Sequence, residues 1–397
     1  MTGILQPRVL KTRLGAASAA LTLAVVLVFG GVTAPSAQAQ KFTDLYNFTG
    51  AKDGGTPSAG LIRDAQGNLY GTTFWNGSGG WGTVFKVDTK GAETVLYNFT
   101  GGADGANPSA GLIRDSHGNL YGTTQDGGSS LQWGTVFKVA PNGTETAYAF
   151  AGGSADGCNP YQGLVRDKAG NFYGTTVGCG AAGKGVVFKL SPQGKETVLH
   201  NFAGGSSDGQ SPQYGSLVID KLGNLYGVTQ QGGTSGQGVV YRLSKSGLKV
   251  LHSFAGGTTD GCFPFGSVAM DTNGNLYGTT EYCGSSNNGT VWKLSKNGTE
   301  TVLHSFAGTP TEGQIPLAGV TLDAKGNLYG NTNGGGANNR GTVYRLNIKR
   351  KLTVLHTFAG SDGQSPLGSL ILDGKGKLYG TAAGGGTGSN GTVWSIP

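Results

Sequence analysis

The sequence predicts an all-β chain, a seven-bladed β-propeller of four-stranded blades in which the N-terminal strand closes the last blade. Three observations predict it. An Asp-Gly-x-x-Pro loop, with Glu for Asp in the sixth copy, recurs with its prolines at 57, 108, 160, 212, 264, 316 and 366, at gaps of 51, 52, 52, 52, 52 and 50 residues. A fixed internal period of this size is the mark of a repeat array whose units bury their faces on one another. Each copy holds four short runs rich in β-branched and aromatic residues, bounded by Gly, Asn and Asp, with no sustained 3.6-residue apolar period. Four strands in about 50 residues is the size of a propeller blade. Finally, the seventh copy stops after its third run, Gly391 to Ser395, while Lys41 to Phe48 precedes the first copy and matches the fourth runs ending at Phe99, Phe150, Phe202, Phe254, Phe306 and Phe358. A ring closed by its own first strand needs this split unit, and closure removes unpaired sheet edges.

Taken in order, the chain opens on Arg8, Lys11 and Arg13, an apolar run from Leu14 to Val32, and Ala37-Gln38-Ala39. Basic start, apolar centre and A-x-A site describe a secretory leader over 1–39, with an uncleaved anchor as the alternative. Residues 40–397 are then one propeller domain, and loss of the three leader cations lowers 29 basic residues to 26 against 22 acidic, a net charge of +4. The lysines are spread along the repeats without interleaved aromatics, so a nucleic-acid surface is not expected. In the first repeat the strands read Gly60–Asp64, Asn68–Thr73, Gly82–Val87 and Glu93–Phe99.

Positions shared by all copies read as scaffold. Tyr70 and its six equivalents on the second strand, and Phe85 and its equivalents on the third, are bulky enough to fill the wedge between neighbouring sheets. Asp64 and its equivalents end every first strand before a Gly-containing turn and cap that turn. Asp53, Asp104, Asp156, Asp208, Asp260, Glu312 and Asp362 belong to the loop preceding the first strand, where turn capping is again the default and a carboxylate ring binding a cation or polyol the minor alternative. His200, His252, His304 and His356 take the outer-strand place held by Tyr46, Tyr97 and Tyr148; each is on a different blade, so no triad or metal centre is expected from them. No P-loop, dinucleotide fingerprint, Cys-x-x-Cys or EF-hand pattern is present, and no cofactor or metal is predicted.

Four cysteines sit at two repeat positions: Cys158 and Cys179 in the third copy, Cys262 and Cys283 in the fifth. Each pair joins two loops on one face of one blade, so bridges Cys158–Cys179 and Cys262–Cys283 are expected in an exported protein.

Specificity belongs where copies differ. At the entrance to the innermost strand, Ser58 and Ser109 give way to Tyr161, Tyr214 and Phe265, then Leu317 and Leu367. The loop before the third strand carries Trp81 and Trp133 in the first two copies, and Trp75 in the first copy and Tyr282 in the fifth add to this aromatic set. Exposed aromatics on rigid loops suit stacking on sugar rings or anchoring a protein. Arg63, Arg114 and Arg166 end the inner strands of blades 1 to 3 only, and either grip an anion near the axial channel or pair with turn aspartates.

The segments Gly127-Gly128, Gly134 to Val139, Gly143 to Thr146, Phe150 to Gly153 and Asp156-Gly157 to Pro160 resemble the GloVer tandem repeat of choice-of-anchor bacterial proteins, and the resemblance extends over essentially all of residues 40–397. It implies a repeat array and export, hence a secreted, periplasmic or cell-surface location, and supplies no catalytic residue. The expected function is therefore that of a non-catalytic binding or structural propeller, a monomer that takes a carbohydrate or protein at the loop-built mouth. The alternative is a polysaccharide hydrolase or lyase with its site in the central channel.

Overall fold

In the computed structural model, residues 41–128, 132–213 and 215–397 are described, and all regular structure among them is β. Residues 1–39, expected to be a secretory leader, fall outside them. Seven antiparallel four-stranded sheets follow one another along the chain, each ordered inner, second, third, outer. In blade 1 these strands are Ile62–Arg63, Leu69–Thr73, Thr83–Val87 and Glu93–Asn98. The inner strand is shorter than its sequence pattern: only two residues pair regularly, because the preceding stretch leaves its own sheet to press against the neighbouring blades at the axis. A Cβ added at Gly60 would stand 2.9 Å from the Ser369 carbonyl oxygen of blade 7.

The N-terminal strand does close the ring. Thr43–Asn47 pairs antiparallel with Thr392–Ile396, outside Leu378–Ala382 and Ile371–Leu372, so blade 7 draws its fourth strand from the other end of the chain. The Phe48 amide donates to Gly391 O at 3.0 Å, as the Phe99 amide does to Gly82 O at 3.0 Å within blade 1. The outer strand bulges by one residue: Val84 faces Tyr97 and Phe85 faces Val95, leaving Leu96 as the extra residue. Leu45 plays this part in the N-terminal strand. Blade 2, whose outer run is one residue shorter, pairs without a shift.

Aromatic contacts between blades make the core continuous around the circle. The phenylalanine that ends each outer strand is fully buried and meets the third-strand aromatic of the next blade edge-on, from Phe99 on Phe137 at 5.0 Å to Phe358 on Trp394 at 5.9 Å. Phe48 on Phe85, at 5.0 Å, completes the set across the joint between chain ends. Such edge-to-face pairs add about 0.5–1.5 kcal/mol each beyond the burial itself.

The recurrent proline is a second inter-blade device. A Cβ on Gly82 would collide with Thr73 O of its own blade and lie 2.7 Å from Pro108 Cδ of blade 2, so glycine precedes the third strand because the second strand and the next blade's proline together occupy that space. The residue before each proline has positive φ: Thr56, Asn107, Asn159, Ser211, Phe263, Ile315 and Ser365 lie between 53 and 58°. This is costly for β-branched Thr and Ile. In return, the amide of each donates to the second-to-third-strand loop of the preceding blade, as Asn107 N does to Trp81 O at 2.9 Å and Ile315 N to Asn288 O at 2.9 Å.

Both disulfides form as the spacing predicts, with Cα–Cα distances of 5.3 Å for Cys158–Cys179 and 5.4 Å for Cys262–Cys283. Each ties the Asp-Gly loop to the second-to-third-strand loop where the two form a short ladder, such as Gly157 against Cys179. Blade 4 has Gln210 and Gln231 in the same ladder, joined by their side-chain amides at 2.7 Å.

Because Phe48 has the same environment as Phe202, Phe48→Ala and Phe202→Ala are each expected to cost about 3–5 kcal/mol in urea titrations. An unaffected Phe48→Ala protein would mean that the ring is not held by this strand. The Cys158→Ser, Cys179→Ser double variant is expected to lose about 3 kcal/mol in the same assay, the usual contribution of a bridge closing a loop of this size.

Candidate functional site

Both variable loops come to one face. The Asp-Gly-x-x-Pro loop of each blade lies beside the loop that follows its second strand, through the disulfide-bearing ladders or through single bridges such as Gly55 with Trp75 and Ala106 with Asp126. On the axis of this face is a cavity of about 520 Å³ lined by residues from all seven blades. This lies within the ~300–1,000 Å³ of small-molecule sites.

Of the aromatics singled out in the sequence, Trp75, Tyr161 and Phe265 line this cavity. Trp75 is 45% exposed and meets Phe74 edge-on at 4.8 Å, so a rigid aromatic pair forms one side of the rim. Tyr282, 37% exposed, stands next to the cavity beside Glu281, whose charge pushes the phenol up. Tyr214 falls outside the described residues. Trp81 and Trp133 are on the same face but not in the cavity: their indoles cover Gly101 and Gly152 of the following inter-blade loop, leaving room there for no Cβ. Later blades put Lys184, Asn288 and Arg340 over the equivalent glycines.

The three arginines are not brought to this site. Arg63 pairs with Leu69 at one end of the second strand, whereas Trp75 follows Thr73 at the other. At ~3.3 Å per residue the two ends are roughly 13 Å apart along the strand, on opposite faces of the ring. There each arginine reaches back over the second-strand tyrosine of the preceding blade, Arg63 over Tyr379 at 5.7 Å and Arg114 over Tyr70 at 5.7 Å, while Arg166 lies between Tyr121 and Phe172. They serve as inter-blade clasps, and Arg63 also helps hold the Asp373 carboxyl below the usual range, after that residue's backbone hydrogen bonds to Lys377 and Lys375.

The cavity contains polar groups that the sequence reading did not single out. The residue after the second strand varies around the ring, and Phe74, Gln125, Gln230 and Glu281 from that position line the cavity. Gln162, where blades 1 and 2 have Ala59 and Ala110, is 3% exposed, and its Nε2 has no hydrogen-bond partner among the described residues. Glu281 accepts from Gln230 Nε2 at 3.4 Å, and burial pushes its carboxyl up. Variation among copies at otherwise repeated positions was the available signal for these residues.

The Gloeobacter/Verrucomicrobia repeat matches residues 30–218, 129–322 and 301–397. The chain belongs to that repeat family. No curated protein matches it. Among solved structures it is similar to a streptogramin B lyase (13% identity, 90% of this chain and 97% of that one, TM-score 0.60) and to virginiamycin B lyase from Staphylococcus aureus (12%, 90% and 98%, TM-score 0.58). It is also similar to the extracellular domain of a putative hybrid two-component system from B. thetaiotaomicron (14%, 90% and 41%, TM-score 0.55). These likenesses show a shared propeller fold.

In this Gloeobacter/Verrucomicrobia propeller the loop carboxylates are committed to the blade junctions. Asp53 accepts from Tyr46 Oη at 2.9 Å and from the Thr49 amide at 2.8 Å; Asp208 takes His200 Nε2 at 3.1 Å and the Ala203 amide at 2.8 Å. Glu312 is paired with His304, and Asp362 with His356 at 2.9 Å. Tyr and His are therefore interchangeable here as partners of a capping carboxylate. At four junctions a glutamate from the next outer strand, Glu93, Glu145, Glu196 or Glu300, points into the pair with its Oε1 buried and without a hydrogen-bond partner among the described residues. Desolvation, then the neighbouring aspartate, raises each from 4.5 to about 7. His252, Asp260 and Glu300 form the one group of three among the described residues whose ligand atoms lie close enough to hold a metal ion, within 4.8 Å. At the junctions where Leu248 and Leu352 replace the glutamate the pair persists, so a cation is not what assembles it.

These four glutamates keep a proton in the folded state that the unfolded chain releases. Their contribution to stability is complete below about pH 4.5 and is lost as pH rises through about 7. Urea midpoints are expected to fall between about pH 5 and about pH 8, and the Glu93→Gln, Glu145→Gln, Glu196→Gln, Glu300→Gln variant is expected to flatten that decline.

Proposed function

We propose that this protein is an exported binding propeller that takes a carbohydrate in the axial cavity of its loop-built face. The observation that carries the reading is the cavity itself, where stacking surfaces (Trp75, Phe74, Tyr161, Phe265) stand among the amides of Gln125, Gln162, Gln213 and Gln230. Sugars present apolar ring faces and a belt of hydroxyls, and a site for them needs flat apolar surfaces together with groups that both donate and accept. The orphaned Gln162 amide supplies a donor whose acceptor a sugar hydroxyl would be. Export is supported by two disulfides, which persist in oxidising compartments, and by the likeness to the extracellular domain of a two-component system.

Binding is favoured over bond cleavage by the distribution of acids. Glycoside chemistry by paired carboxylates needs two of them flanking the scissile bond. Among the described residues lining the cavity there is one, Glu281; the loop aspartates are held at the junctions.

A glycan array with the wild-type protein is expected to give defined hits. Trp75→Ala is expected to weaken them about ten-fold or more, the scale of losing one stacking anchor, while the Trp81→Ala, Trp133→Ala double variant keeps them within about two-fold. Unchanged binding by Trp75→Ala would remove the cavity from the site, and release of sugar products by wild type would replace binding with hydrolysis or elimination.

A further inference from the structure

We infer that the cavity selects an amino sugar, its free ammonium seated against the Glu281 carboxylate. The inference rests on the carbohydrate reading above and adds to it a charge requirement. Glu281 is the one carboxylate among the described lining residues, and no Lys, Arg or His lines the cavity with it. A lone acid in a half-buried site without a cationic partner is electrostatically unfinished. Gln230 orients it by a hydrogen bond but brings no charge, and burial disfavours its ionised form. An incoming ammonium is the group that completes such a site, forming a charge-assisted hydrogen bond stronger than a neutral one.

Two further features suit the same ligand. The face of an aromatic ring is electronegative, and a cationic sugar stacked on the aromatic residues that line the cavity would gain cation–π attraction as well as stacking. The surrounding amides, with Gln162 buried and its Nε2 orphaned, answer hydroxyl groups, which a simple polyamine lacks. A neutral or N-acetylated sugar would satisfy the amides and rings yet leave Glu281 uncompensated, and an acidic sugar would be repelled by it.

The test is titration calorimetry on the mature protein with the β-1,4-linked glucosamine trisaccharide, its fully N-acetylated counterpart, cellotriose and spermidine, using wild type, Glu281→Gln and Glu281→Asp. Wild type is expected to prefer the glucosamine trimer about ten-fold or more, the scale of one hydrogen bond to a charged group. Half-molar salt is expected to reduce that preference. Glu281→Gln is expected to abolish it at an unchanged melting temperature, and Glu281→Asp to restore part of it. Should Glu281→Gln fail to fold, the wild-type salt series and Glu281→Asp still decide. Equal binding of free and acetylated trimers by wild type overturns the inference and leaves the carbohydrate reading standing. A preference that survives in Glu281→Gln, or that does not weaken in salt, also overturns it, as does tighter binding of spermidine than of the glucosamine trimer. No binding of any of the three sugars, by a protein that also fails on the glycan array, overturns both.

Discussion

A circle of blades has no natural end, and this one depends on how its two ends are sealed. The strand Thr43–Asn47 lies against Thr392–Ile396, and Phe48 carries the aromatic contact from blade 7 onto Phe85 of blade 1. Every other junction is made between segments adjacent in sequence, whose association costs little chain entropy. This one joins residues more than three hundred positions apart, as does the hydrogen bond from Thr381 Oγ1 to Ala59 O at 2.9 Å near the axis. Closing so long a loop has an entropic cost that grows only slowly with length. It is offset by a full set of strand hydrogen bonds and by a buried phenylalanine, and it removes the exposed edges that an open arc would present.

Once the ring is closed, the repeated residues are committed to blade junctions and to the turns within blades. The prolines fill the space left by glycines of the preceding blade, the loop carboxylates cap and take Tyr or His, and the second-strand tyrosines donate to turn aspartates, as Tyr70 Oη does to Asp64 at 3.0 Å. Groups used seven times in this way are poorly placed for chemistry, which needs asymmetry. The axial cavity supplies asymmetry, because all seven blades contribute to it at positions where the repeat is free to vary. A rigid, symmetric frame thus holds one unsymmetric site, with Trp75 on one side and Glu281 on another.

Much of this was legible in the sequence. The period gave the blade, the missing fourth run gave the seal, and the cysteine positions gave both bridges, because strand count and loop order follow from local patterns. The inner strands were overestimated in every blade but the fifth, where Gly261–Met270 is continuous: Gly60–Asp64 looks like a strand, but its first residues serve contacts across the axis instead of a ladder. The arginines illustrate a different limit. Their restriction to three blades suggested an anionic ligand or a turn aspartate as partner, yet the run of a two-residue strand delivers them to the face opposite the cavity, where tyrosines of the preceding blade receive them and Arg63 also acts on the turn aspartate Asp373. Trp81 and Trp133 stand on the expected face but over glycines of the next loop, a contact between blades that no pattern within one repeat encodes.

The amino-acid sequence by itself determined the architecture: seven units, four strands each, and the order in which they meet, since hydrophobic alternation and turn chemistry act over a few residues and repeat faithfully. Only the tertiary structure decided which variable residues share a site. Gln162, Gln230 and Glu281 come from three different blades and from two repeat positions, one after the recurrent proline and one after the second strand, and they converge because the ring curves both positions of every blade toward one axis. Their convergence is a property of that curvature, and distance along the chain does not report it.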